Sequence, residues 1–308
     1  MNDYCAAIDF GTNTARLLIA EISSNGVIPV RVEREVVRLG GGFTDEFGLS
    51  AAAQERGLIC LHRFSKIISE YTVTQVHASA TSAVRDAVNG AAFVDKVYQE
   101  TGIQLIVIDG SVEARLTLTG VLSGLDTAES KKLVVLDVGG GSTEFTVSSH
   151  GSPVFIKSMP IGVVRLTEGF STTIEMTRRI RSVVAQLAEE LSVAGISVSE
   201  DCELVGTAGT ATTIAAIKLN MVEYDYRAVN NFTVTKADID EIYLRLSPLS
   251  PQERLAITGL EKGREDLIIA GLLIITSVMD TFCFNRLKVS DFGLLEGLAL
   301  SGSGSGRL

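Results

Sequence analysis

The sequence predicts an α/β chain folded in two lobes, and three observations carry that class. Short apolar, β-branched runs alternate with segments of helical periodicity; strand-rich hairpins followed by helices occur twice over; and two glycine turns of one design lie well apart, in IDFGTNTARLLIAEI (8–22) and LVVLDVGGGSTEFTV (133–147). Each turn follows an apolar run ending in Asp and precedes another apolar run. Glycines let backbone N–H groups converge on an anion, and Thr12, Thr14, Ser142 and Thr143 add hydroxyl donors. Asp9 and Asp137, at the turn starts, have the wrong charge for phosphate but suit Mg²⁺ or a positioned water. Two such turns about one small domain apart suggest duplicated halves facing a cleft, with a phosphorylated substrate between them.

The elements follow in order. Strands are expected at 5–9, 17–22, 27–37, 73–78, 105–109, 133–137, 144–148, 152–160 and 203–205, each bounded by glycines or a helical pattern. Helical spacing appears at 50–71, 91–101, 110–122, 175–194, 211–219, 236–246, 251–255, 264–282 and 294–300. The polar stretch 123–132, with Gly124, marks the end of the first lobe, so lobes of 1–124 and 125–300 are expected. The tail SGSGSGRL (301–308) has the composition of a flexible linker.

Composition narrows the function. A chain of 308 residues can build two substantial cores, and 46% hydrophobic residues with five prolines exclude a largely disordered protein. MNDYCAAIDF has no basic region before its apolar run, so it does not read as a signal peptide. The longest uncharged apolar stretch, 267–279, is too short to span a bilayer, so a soluble, cytoplasmic protein without membrane partners is expected. Four scattered cysteines form no C-x-x-C pair and are expected reduced and mostly buried. The three histidines lie away from the glycine turns, which argues against a Ser-His-Asp hydrolase and a His-based metal centre. A formal net charge of −10 disfavours nucleic acid as a partner, so a polyanion must be held by a local site.

Further candidates stand on single segments. GTAGT (206–210) places Gly209 and Thr210 between an apolar pair and a helical run, an arrangement that serves an anion or simply packing. ASATSAVRDAVN (78–89) puts Arg85 after a small-residue turn, where it can fork on phosphate or pair with Asp86. Glu113, in GSVEARLTLTG (110–120), falls in the first turn of a helix. The helix dipole explains a carboxylate there as well as catalysis does; facing the phosphate turns, it is the one able to take a proton from an attacking water. Arg16 and Arg38, the latter in RLGGGF (38–43), complete the set.

Together these segments resemble the exopolyphosphatase and guanosine pentaphosphate phosphatase family, a branch of the actin-like, sugar kinase and Hsp70 ATPase superfamily. IDFGTNTARLLIAEI is similar to its first phosphate loop, ATSAVRDAVN to its Arg-bearing segment, GSVEARL to its catalytic-glutamate segment and DVGGGSTEF to its second phosphate loop; MPIGVVRLTE, GTAGTATTIAAI, REDLIIAG and SDFGLLEGL follow in the family's order. The resemblance covers about 8–300. It implies two ribonuclease-H-like domains with an active site in the cleft between them, hydrolysis of a terminal phosphoanhydride with Mg²⁺ (Mn²⁺ being the other metal an all-oxygen site fits), and a homodimer. It implies Glu113 as general base, Asp137 and Glu144 as metal-holding or water-positioning acids, and Thr12, Asn13, Thr14, Arg16, Gly139, Gly140, Gly141, Ser142 and Thr143 as the phosphate cradle, with Arg85 contacting phosphate from the first lobe.

The chain departs from the family pattern at Thr12 and Thr14, commonly serines; at Val112, commonly a second glutamate; and at Leu295, commonly Arg. Longer members carry an extra helical domain after the second lobe, so high processivity is not expected here. The expected reaction is exopolyphosphatase action on inorganic polyphosphate, with removal of the γ-phosphate of guanosine pentaphosphate as the near alternative. An ATP-binding switch or kinase on the same fold lacks a visible substrate motif, and a silent binder is disfavoured by Glu113, Asp137 and Glu144 together.

Overall fold

The computed structural model describes residues 4–23, 26–126, 132–199 and 201–302; most of the tail expected to be flexible lies outside them. The chain divides into two compact units, Met1–Ser123 with Gly293–Leu308, and Gly124–Phe292.

The first unit contains β1 (Tyr4–Phe10), β2 (Thr14–Ser23), β3 (Gly26–Val36), α1 (Ala51–Ser69), β4 (Val73–Ala80), α2 (Ser82–Arg85), α3 (Gly90–Thr101), β5 (Leu105–Val107) and α4 (Gly110–Gly124). Its sheet has the order β3-β2-β1-β4-β5, with β1, β2 and β3 an antiparallel meander and β1, β4 and β5 parallel. Alternation along β1 and β2 gives the sheet two apolar faces, as a two-sided layer requires. On one face Ile8, Phe10, Leu17 and Ile19 pack with Phe64 of α1 and Phe93 of α3. On the other, Cys5, Ala7, Leu18 and Ala20 pack with the last helix.

The second unit contains β6 (Leu133–Val138), β7 (Thr143–Ser149), β8 (Ser152–Met159), α5 (Val163–Gly169), α6 (Thr173–Val193), β9 (Glu203–Thr207), α7 (Ala208–Lys218), α8 (Tyr226–Val229), β10 (Thr233–Thr235), α9 (Lys236–Leu246), α10 (Pro251–Arg254), α11 (Ile268–Phe282) and β11 (Arg286–Val289). The sheet order is β10-β11-β9-β6-β7-β8, again an antiparallel meander joined to parallel strands. One core gathers Val134, Leu136 and Phe145 of the sheet with Ile180 and Leu187 of α6 and the apolar α11. Capping boxes, Thr172 with Glu175 and Thr235 with Asp238, start α6 and α9 by satisfying amides that have no partner within the helix.

The two sheets repeat one plan, β3-β2-β1-β4-β5 corresponding to β8-β7-β6-β9-β11. The last helix, α12 (Leu294–Ser301), belongs to the first unit, whereas the sequence places the second lobe at 125–300. Its Leu294, Leu295 and Leu298 bury on the β1–β2 face that helices α1 and α3 leave uncovered. The sequence also gives no sign of α5, α8, β10 or β11. These elements span three to seven residues, too short for either periodicity, and the apolar pair opening α5, Val163–Val164, is β-branched. The helix expected over 264–282 begins at Ile268 because Arg264 to Leu267 form turns.

Helices α4 and α12 cross where both present glycine. A Cβ on Gly297 would sit 1.9 Å from the Leu116 carbonyl oxygen, and one on Gly120 1.8 Å from that of Gly293. Gly297→Ala should therefore cost about 1–3 kcal/mol by overpacking, read as a lower urea midpoint. An unchanged midpoint would mean the helices separate freely.

Candidate active site

In the first unit the parallel strands β1, β4 and β5 end along one edge. Thr81 N–H reaches the Phe10 carbonyl at 3.4 Å and Ile108 N–H the Ala80 carbonyl at 3.1 Å, so three chain exits lie side by side. From them leave the first glycine turn, helix α2 with Arg85, and helix α4 with Glu113. The carboxyl edge of an open α/β sheet is where ligands bind, because turns and helix N-termini collect there.

Arg85 and Glu113, 28 residues apart, come together: Arg85 Nη1 donates to the Ile108 carbonyl at 3.0 Å and lies 3.2 Å from Glu113 Oε2. Glu113 is 7% exposed, and both groups are thereby oriented. Arg85 also approaches Asp86 Oδ1 at 3.6 Å, a longer contact. Asp109 starts α4 by accepting from Ser111 N–H, Val112 N–H and Ser111 Oγ at 2.7–2.9 Å. The Val112 amide, with the Ser111 hydroxyl and amide, lowers its pKa from the usual carboxylate value.

The first turn is closed by Gly11 N–H to the Thr14 carbonyl at 3.1 Å, and its Thr12 and Asn13 carbonyls accept from Gly40 and Arg38 N–H at 2.9 Å. RLGGG thus braces the first glycine turn, with Arg38 at φ 45° to do so. Thr12 and Asn13 are buried, and Asn13 Oδ1 has no hydrogen-bond partner among the described residues. Thr14 Oγ1 accepts weakly from Asn13 Nδ2 at 3.4 Å. Arg16 is directed inward: Nε and Nη2 donate to Asp9 Oδ2 at 3.2 and 3.0 Å. The bond follows from register, since Arg16 stands opposite Asp9 across β1 and β2.

The second unit repeats this edge with β6, β9 and β11. Gly139 N–H closes its turn on the Ser142 carbonyl at 3.0 Å, matching Gly11 and Thr14. Asp137 stands opposite Glu144, in the place Arg16 takes opposite Asp9. The cross-strand row is Ser158, Glu144, Asp137 and Thr207 here, and Arg34, Arg16, Asp9 and Ser79 in the first unit. Its two carboxylates are buried, and Ser158 Oγ donates to Glu144 Oε1 at 2.7 Å. Thr143, expected as a hydroxyl donor to phosphate, instead donates its hydroxyl hydrogen to the Ile161 carbonyl at 2.5 Å and is fully buried. Its hydroxyl anchors the start of β7. The carbonyls of Gly139 and Gly140 accept from the first amides of α5, and Gly141 from Arg165 Nε.

In GTAGT the chain turns at Ala208, a non-glycine residue at φ 61°, the kind of backbone strain that recurs at functional turns. The Arg264 guanidinium occupies the space where a Cβ on Gly209 would sit, and Arg264 Nε donates to Glu261 at 2.7 Å. Thr210 is buried against Gly271. Ser158, Arg165 and Arg264 are the neighbours that sequence reasoning left unassigned; for Arg165 and Arg264 the signal was their place in the MPIGVVRLTE and REDLIIAG segments. Leu295, where Arg is common in the resemblance, is 1% exposed and serves the core.

The model of the Ppx/GppA phosphatase family matches residues 18–305. Exopolyphosphatase 2 of Mycobacterium tuberculosis is 33% identical over 319 residues, covering 97% of this chain and 98% of that protein. A bifunctional 3-dehydroquinate synthase/phosphatase of Fusobacterium nucleatum is 34% identical across 96% of this chain, which spans only 46% of that protein's length. Among solved structures, an exopolyphosphatase from Cytophaga hutchinsonii superposes with TM-score 0.86 at 28% identity over 96% of each chain. The Ppx/GppA enzyme of Aquifex aeolicus gives 0.79 at 30%, over 97% of this chain and 99% of that one. The two-domain α/β fold is thus of the actin-like ATPase type.

Asp109→Ala should cost about 1 kcal/mol of unfolding free energy at neutral pH, the usual worth of an N-cap. Because the folded pKa is depressed, that stability is complete above the unfolded carboxylate value and is lost as pH falls through the folded one. Urea unfolding at neutral and strongly acidic pH checks both; an equal penalty in acid would show that the carboxylate charge plays no part.

Proposed function

The chain belongs to the Ppx/GppA phosphatase family, and from that premise we propose that it is an exopolyphosphatase, releasing orthophosphate from the end of inorganic polyphosphate by attack of water on the terminal phosphorus. The observation that carries the reaction is the buried Glu113 carboxylate, oriented by Arg85 at the carboxyl edge of its sheet. What favours polyphosphate as substrate is the likeness to Exopolyphosphatase 2 over nearly the full length of both chains.

Glu113 accepts a proton from the attacking water, the new P–O bond forms from that oxygen, and the bridging P–O bond breaks with its electron pair leaving on the shortened chain. Successive amides of a glycine turn bind non-bridging oxygens of the substrate's phosphates, a contact made alike in the ground state and the transition state. Arg85 has donors enough to hold Glu113 and a phosphate oxygen together.

Asp137 and Glu144 are the residues that would hold Mg²⁺, or Mn²⁺. Two buried carboxylates directly opposite on neighbouring strands repel unless a cation or proton intervenes, and an all-oxygen donor pair suits a hard divalent ion. Among the described residues no group of three His, Cys, Asp or Glu is placed to hold a metal. The ion would then complete its shell with water and substrate oxygens, the usual mode for Mg²⁺ at phosphates. When bound, it supplies charge neutralisation at those oxygens. Asp9 is engaged instead with Arg16, through Oδ2.

Phosphate release with Mg²⁺ from long-chain polyphosphate, guanosine pentaphosphate and ATP, at equal terminal-phosphate concentration, tests the substrate. Release mainly from polyphosphate is expected; release mainly from the guanosine nucleotide would overturn the assignment. Glu113→Gln should lower kcat by about 10²- to 10⁴-fold while leaving substrate affinity within a few-fold. Loss of affinity with unchanged kcat would make Glu113 a binding group.

A further inference from the structure

Three consecutive carbonyls of the second glycine turn are held by one segment. Val163 N–H donates to the Gly139 carbonyl at 3.0 Å, and Val164 and Arg165 N–H to that of Gly140 at 2.9 and 3.2 Å. The third, Gly141, accepts from the side chain of Arg165, whose Nε lies 3.0 Å away. The approach is close enough that a Cβ on Gly162 would fall 2.3 Å from the Gly140 oxygen. The first amides of α5 are thus spent on the turn, and this helix start is not itself an anion site.

In a trans peptide the carbonyl of one residue and the N–H of the next point to opposite sides. Drawing the Gly139, Gly140 and Gly141 carbonyls toward α5 therefore directs the Gly140, Gly141 and Ser142 amides the other way. Successive amides oriented together form an anion-binding nest. In the first unit the corresponding carbonyls, Thr12 and Asn13, are braced by backbone amides of Gly40 and Arg38. The second unit entrusts its third peptide to a cationic side chain.

We infer that Arg165 is a positioning residue for the second phosphate turn: by fixing the Gly141 carbonyl it aims the Ser142 amide at the substrate phosphate, and its guanidinium adds positive charge beside the turn. The inference rests on the proposed hydrolysis and adds a determinant of phosphate affinity to it. Arg165 touches the turn on the carbonyl side, so its loss should weaken binding of phosphate without disturbing proton transfer by Glu113.

The test compares wild type, Arg165→Ala and Arg165→Lys in steady-state hydrolysis and in calorimetric binding of orthophosphate. In Arg165→Ala, KM is expected to rise about 10- to 100-fold, the worth of a charge-assisted hydrogen bond, with kcat within about threefold. Orthophosphate affinity should fall by a similar factor. Added guanidinium ion should lower the raised KM of Arg165→Ala without improving wild type, and Arg165→Lys should stay impaired because an ammonium cannot reproduce the planar donor. Unchanged KM and orthophosphate affinity, or a loss confined to kcat, would overturn the inference, as would a loss accompanied by a lowered melting temperature and no guanidinium rescue. If wild type hydrolyses neither polyphosphate nor guanosine pentaphosphate, the proposed reaction fails, and orthophosphate binding alone then decides the role of Arg165, equal affinity in the Ala variant refuting it.

Discussion

A carboxylate placed just before a glycine turn must be answered from the strand beside it, and the two units answer differently. Asp9 faces Arg16, which forks on it and gives a paired row; Asp137 faces Glu144, which doubles the negative charge at the same register position. At the few-ångström separation of cross-strand neighbours, a buried like-charged pair is costly in low dielectric, whereas the opposite pair is stabilising if its geometry is good. The repeated plan thus places a counter-ion beside the first turn and a second carboxylate beside the other, the difference on which the proposed cation assignment rests.

The sheets make this division usable. In each unit the turn, a second small-residue turn and a helix start leave from adjacent parallel strands, so groups far apart in sequence arrive at one edge without long loops. Arg85 meets Glu113 because β4 and β5 are neighbours, not because of any local motif. The helices on each sheet supply rigidity. Leu294, Leu295 and Leu298 of the returning helix cover the face of β1 and β2 opposite α1 and α3, so the strand that carries Asp9 is buried on both sides.

Much of this was legible in the sequence because it is written in local patterns. The turns at Gly11 and Gly139, the helix start before Glu113 and most strands follow from glycine placement and apolar periodicity. What was not legible depends on register and on returns of the chain. Nothing local says that Arg16 lies opposite Asp9, that Ser158 donates to Glu144, or that the Thr143 hydroxyl is consumed by the Ile161 carbonyl; each requires knowing which residues face across paired strands. The return of α12 to the first unit is likewise invisible to periodicity, since its apolar face would serve either core. The short α5 is hidden because its opening valines favour a strand, yet it holds the carbonyls of the second turn.

Direct titration with Mn²⁺, followed by its electron paramagnetic resonance signal, tests the assignment of the cation to the acidic row. Wild type and Asp9→Asn should bind the ion with equal affinity, while Asp137→Asn and Glu144→Gln should each lose it. Loss in Asp9→Asn with retention in the other two would place the cation at the first turn and contradict the division of labour between the two rows.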